Sequence, residues 1–142
     1  MIIIQGFLLL PLFITASVID IRRREIPDSI NILFALTGLL TFSPGKFIGI
    51  LIALPFLIAA IVCKGRMGGG DIKFMAAAGF ILGFKAAVFA SVTGLSASLL
   101  FCTARHILKR RKERNTAIPL APFLSLGCTA AFTLQHGGLF LL

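Results

Sequence analysis

An all-α fold that crosses a membrane about six times is what this 142-residue sequence predicts, and three observations predict it. The chain is 58% hydrophobic with a mean hydropathy of +1.02, more apolar surface than a soluble domain of its size could bury. Its apolar residues fall in six runs, at about 2–19, 29–42, 47–63, 72–84, 86–104 and 118–135, each bounded by charge, Gly or Pro. Twelve of its fourteen Lys and Arg cluster beside those runs, so the net charge of +9 reads as membrane topology rather than as a nucleic-acid surface, and no nucleic-acid partner is expected.

The first run has no charge before Asp20, and Met1 is followed by three isoleucines, so no basic n-region of a cleavable signal is visible and the run is expected to be a retained span. The second run opens after Ile26-Pro27 and is short, as is the fourth, for a bilayer that asks roughly 17 to 25 residues of a perpendicular helix. Lys85 divides the fourth run from the fifth. Reading 72–104 as one tilted helix would place that lysine near mid-span at a cost of roughly 2.5 kcal/mol, so two spans are expected there, with Lys85 reaching outward to water. The last run opens on Ile118-Pro119-Leu120-Ala121-Pro122-Phe123, where Pro119 suits a first helical turn and Pro122 a local bend. The whole chain, 1–142, reads as one transmembrane domain, with the basic residues 105–115 as its largest soluble element.

Under this layout only Lys46 and Lys85 lie opposite the basic clusters. The basic side is then cytoplasmic, both termini lie outside, and all five acids, Asp20, Glu25, Asp28, Asp71 and Glu113, fall on the cytoplasmic side. Asp20 closes the first span and Asp71 opens the fourth; two complete spans separate them, so both carboxylates return to the same face and a similar depth. Neighbouring carboxyl groups do not both ionise cheaply, so one can hold a proton while the other activates water, the working pair of an aspartic protease.

Plainer roles stand beside that one. Asp71 follows Gly68, Gly69 and Gly70 and could cap the fourth helix, while Asp20 could pair with Arg23 or Arg24 one turn on. The glycines could be a simple turn or could let a peptide backbone approach Asp71, but they lack the Gly-Lys-Ser/Thr of a phosphate loop. Cys63 and His106 lack an orienting third residue for nucleophilic catalysis, and His136 reads as a terminal polar residue. Glu25 and Asp28, around Pro27, read as solvated groups at the entry to the second span. Cys63, Cys102 and Cys128 form no C-x-x-C, so neither a metal site nor any cofactor is expected.

Three blocks in order, Asp20-Ile-Arg-Arg-Arg-Glu-Ile-Pro27-Asp28, Gly68-Gly69-Gly70-Asp71-Ile72-Lys73 and Ile118-Pro-Leu-Ala-Pro-Phe-Leu-Ser-Leu-Gly127, resemble the type IV prepilin peptidase family and its preflagellin-peptidase relatives, the GxGD intramembrane aspartyl proteases. The resemblance implies that Asp20 and Asp71 are catalytic and that Gly68, Gly69, Gly70, Lys73, Pro119 and Pro122 belong to the active-site loop or contact substrate. It implies as substrates prepilin or pseudopilin precursors, single-span proteins with a short basic leader, cut at the cytoplasmic boundary of the inner membrane among its lipids. Larger bacterial members carry an N-terminal domain with paired C-x-x-C motifs and also N-methylate the product. These 142 residues show no such motif, so a peptidase core without methyltransferase is expected. Two other classes fit less well: a non-catalytic assembly protein of a pilus or secretion system, which has no use for two acids at the membrane edge, and a proton carrier, which asks for polar residues across the spans.

Overall fold

The computed structural model describes residues 2–41, 43–62, 68–108 and 119–136. They form helices α1 (Ile2–Arg23), α2 (Asp28–Leu39), α3 (Ala53–Val62, led in by a 3₁₀ stretch, Pro44–Ile52), α4 (Gly69–Leu82), α5 (Phe84–Leu108) and α6 (Ala121–His136), with no strand among the described residues. Three stretches, Ile4–Arg23, Pro44–Val62 and Phe84–Arg105, are long and apolar enough to cross a membrane. Their outer faces carry exposed hydrocarbon such as Phe7, Ile14, Ile58, Ile61, Leu99 and Leu100, as a protein solvated by lipid requires.

The fourth and fifth apolar runs are separate helices. Gly83 has φ +79°, a left-handed conformation that L side chains rarely adopt, and it ends α4 with its N–H on the Gly79 carbonyl at 2.8 Å. Phe84 begins α5 at once, and Lys85 is exposed. Helix α5 runs on to Leu108, so Arg105 and the next three residues continue the helix instead of opening the basic loop expected there. The rest of that loop, residues 109–115, lies outside the described residues.

Helix α4 is the hub, packing against α2, α3 with its 3₁₀ lead-in, α5 and α6. This explains how so short a span is tolerated. Fourteen residues rise only about 21 Å, less than a bilayer core, yet Phe74, Met75, Ala78, Ile81 and Leu82 are buried in protein, so the helix ends are sheathed by neighbours rather than by lipid.

The 3₁₀ stretch is nine residues long, beyond the usual three or four, and its hydrogen bonds are poorer than those of an α-helix. Close packing compensates. A Cβ on Gly49 would collide with the Gly79 carbonyl, and a Cβ on Gly79 with the Gly49 carbonyl, so the two backbones are in direct contact. Gly79→Ala is therefore expected to lower the thermal unfolding temperature in detergent, at about 1–3 kcal/mol for the forced separation. Gly45→Ala, where nothing stands within 4 Å of a new Cβ, is the neutral comparison. Equal unfolding temperatures for the two variants would refute the crossing.

Rings of Phe13, Phe34 and Phe74 join α1, α2 and α4 with centroid separations of 5.1, 5.3 and 6.0 Å. At the opposite end of α1, buried Gln5 donates to the Thr37 carbonyl at 3.1 Å and accepts from Thr41 at 3.0 Å, and Lys46 donates to the Thr41 hydroxyl at 2.9 Å. Because each polar group there finds a partner, the network can hold the α1, α2 and 3₁₀ ends together without leaving an orphan in the apolar surroundings.

Candidate active site

Asp20 and Asp71 are both buried, 5% and 8% exposed, although each sits at a helix end where acids are ordinarily solvated. They line one cleft of about 330 Å³ and are close enough to feel each other's charge. Helix α1 runs toward the cleft and α4 away from it. Phe13 lies two turns behind Asp20 and Phe74 one turn beyond Asp71, so the ring contact between them ties the two helices together a short way from the aspartates.

Neither aspartate plays the plainer role open to it. The N-cap of α4 is Gly68, which puts Asp71 third in the helix; no side-chain cap bond forms, and buried Asp71 Oδ1 has no hydrogen-bond partner among the described residues. Asp20 forms no ion pair with Arg23 or Arg24 among the described residues; its Oδ2 accepts the Ala121 N–H at 2.9 Å. A buried carboxylate oxygen left without a protein donor is costly and calls for a functional reason.

The Ala121 bond explains the two prolines. Helix α6 starts at Ala121 and not at Pro119, so Pro122 is the proline of the first turn, where its missing N–H costs nothing, and Phe123 and Leu124 already bond to the Leu120 carbonyl. Ala121 therefore offers the one N–H of that turn still seeking an acceptor, at the positive end of the helix dipole, and Asp20 takes it. Pro119 and Pro122 do not line the cleft. They act on it through the backbone between them, a feature that no side-chain pattern announces.

Gly68, Gly69, Gly70 and Lys73 do line the cleft, with different duties. Gly70 passes so near Ile26 that a Cβ would stand 3.0 Å from its backbone nitrogen, whereas Gly69 has nothing within 4 Å and Gly68 only Asp71 Oδ2 at 3.7 Å. Open space beside Gly68 and Gly69, not beside Gly70, is where a peptide could reach Asp71. Gly70→Ala is expected to reduce folded yield in detergent, while Gly69→Ala leaves it unchanged; the reverse order would overturn this assignment. Lys73 pairs with Asp28 at 2.7 Å instead of with an aspartate of the buried pair, and both partners are more than half exposed. Such a pair contributes little stability.

Glu25 and Asp28 are exposed, as the sequence suggests, and both also line the cleft with Arg24 and Ile26. Arg24 has φ +55°, a left-handed turn at the end of α1 that swings the chain into α2. Asp20, Glu25, Asp28 and Asp71 thus gather four of the chain's five acids around one opening, against Arg24 and Lys73. His136 stacks edge-on against Phe132, with centroids 4.4 Å apart, at the far end of α6 from Ala121. Cys63, Arg66 and Met67, and the side chain of His106, lie outside the described residues.

Residues 7–104 match the family described as the type IV leader peptidase family. The chain is 32% identical over 129 residues to a prepilin leader peptidase/N-methyltransferase of Bacillus subtilis (strain 168), an alignment covering 85% of this chain and 52% of that protein. It is 30% identical over 146 residues to a protein of the same name from Legionella pneumophila, covering 89% of this chain and 49% of that protein. The chain thus spans about half the length of these curated relatives. No solved structure matches it. With an all-helical membrane bundle that brings Asp20 and Asp71 into one cleft, and a match over residues 7–104, this chain belongs to the type IV leader peptidase family.

Proposed function

We propose that this chain is an intramembrane aspartic endopeptidase that removes the leader of prepilin-like precursors at the cytoplasmic edge of the inner, or plasma, membrane. The observation that carries the reading is the burial of Asp20 and Asp71 in one open cleft, with Asp71 Oδ1 unpartnered among the described residues. One carboxylate takes a proton from water as the water oxygen bonds to the scissile carbonyl carbon, and the other, protonated, gives its proton to the carbonyl oxygen. The tetrahedral intermediate then collapses, breaking the C–N bond, and the amine leaves with a proton from the pair.

The substrate class is supported by the relatives' names and by charge. Four acids around the opening suit a basic leader, in a protein whose net charge is +9. The basic clusters favour a cytoplasmic cleft and outward termini. A reporter cysteine within residues 109–115 should then be labelled only from the cytoplasm, and one at Gly45 only from outside. Labelling from one common side would break the shared face of Asp20 and Asp71.

We assign residues 1–142 peptide cleavage and not the methyl transfer in the relatives' names. The test is to incubate the purified protein with a prepilin in detergent and read the product by mass spectrometry. A cut just ahead of the apolar segment, leaving a free unmethylated amine, is expected. No cut, or a cut elsewhere, would refute the peptidase reading; a product heavier by one methyl group, with no second enzyme present, would refute its restriction to cleavage.

A further inference from the structure

A second hollow, of about 550 Å³, opens beside the aspartate cleft between α2, the 3₁₀ stretch and α4. Asp28 and Lys73 line both, so the two are continuous through that ion pair. From the pair the groove runs along Ile32 and Ala35 of α2 and Ala76 and Ala77 of α4 toward Phe47. Lys73 to Phe80 on one wall spans seven residues, about 10.5 Å, or two helical turns. Hydrocarbon and small alanines make the walls, as helix packing within lipid favours.

One residue does not fit an apolar wall. Asn31 lines the groove one turn beyond Asp28, is only 8% exposed, and has no hydrogen-bond partner at either amide atom among the described residues. Orphaning both a donor and an acceptor away from water is costly, and the orientation of the amide does not change this because both atoms lack a partner. A group that supplies one donor and one acceptor is complementary to the peptide bond. The first turn of a helix is where peptide N–H groups stand unpaired, and the chain leading into it has free carbonyls as well.

We propose that this groove seats the first two turns of the precursor's apolar segment, and that Asn31 bonds the peptide groups where the extended chain enters that helix. The inference rests on the prepilin-cleavage reading. It places the basic leader and scissile bond in the acidic cleft and the apolar segment in the adjoining groove, with the Asp28–Lys73 pair marking the boundary. Asn31 is on this account a specificity-determining residue that touches substrate away from the reacting atoms.

Two measurements test it on the whole 142-residue chain. Asn31→Leu removes an unsatisfied polar group and keeps similar volume, so it should leave the unfolding temperature in detergent unchanged or raised, and raise KM for a prepilin about tenfold with kcat little changed. A structural Asn31 would instead lower the unfolding temperature and leave KM alone, and either of those results overturns the proposal. Independently, a photo-crosslinking residue at Ala77 should capture the apolar segment of a prepilin, and excess unlabelled prepilin should compete. Capture of lipid alone, or of a second copy of this chain alone, overturns it. The crosslink reads occupancy without needing turnover: wild-type protein that cleaves but gives no prepilin crosslink refutes the groove alone, while a crosslink without cleavage refutes the peptidase reading alone.

Discussion

Asp71→Asn and Asp20→Asn are each expected to abolish prepilin cleavage, by about 10⁴-fold or more, while the protein still inserts and folds. An amide can neither take a proton from water nor deliver one to the scissile carbonyl, so either substitution stops a two-carboxyl mechanism. The structure sharpens the control. Asp20 Oδ2 also caps α6 through the Ala121 N–H, and an asparagine Oδ1 can accept the same bond, so Asp20→Asn isolates the loss of the ionisable group. Asp20→Ala removes the cap as well and should be less stable than Asp20→Asn by about 1 kcal/mol. The double variant should lose little more than either single one, because the carboxyl groups act as a unit. Glu25→Gln and Asp28→Asn, at the rim, should be far milder and show mainly in KM. Cleavage rates at matched expression decide the matter: near wild-type turnover by Asp71→Asn would leave Asp71 as no more than an acid in the first turn of α4.

The helical membrane fold was legible because lipid imposes simple rules: apolar runs must be helices, and charge gathers at their ends. That Asp20 and Asp71, which line one cleft, could meet was legible for the same reason, since an even number of expected spans between them permits it however the helices pack. What the sequence did not disclose is tertiary. Asp20 has Arg23 and Arg24 one turn away, yet its partner is the backbone of a residue 101 positions on, chosen by the absence of N–H groups at Pro119 and Pro122. Lys73 lies two residues from Asp71 but turns to Asp28, because neighbours at that spacing point to different sides of a helix. Asn31 sits unremarked in an apolar run, and its cost is visible only once the neighbouring α4 is seen to offer it no partner. Gly49 and Gly79 give no local signal either, since what requires them is each other's backbone.

The bond from Ala121 to Asp20 makes the second large prediction, that Ala121→Pro cuts turnover by about 10- to 100-fold. Proline is well suited to the first position of a helix, and Leu120 before it is already outside the helix, so the substitution asks little of the α6 backbone. It removes the N–H that now meets Asp20 Oδ2 and puts a ring carbon in its place. Charge-assisted bonds of this kind contribute roughly 1.5–3 kcal/mol, which sets the size of the effect if the bond holds the carboxyl in its reacting position. Ala121→Gly keeps the N–H and should retain most activity, although it opens a methyl-sized space at a fully buried position. Because Asp20 still carries its carboxyl group in Ala121→Pro, the loss should appear in kcat with KM little changed, and should stay well short of that of Asp20→Asn. If Ala121→Pro and Ala121→Gly fall together, the site tolerates no change at α6 and the bond has no special part. If Ala121→Pro works as well as the parent, Asp20 is held by something other than the helix whose first turn the two prolines shape.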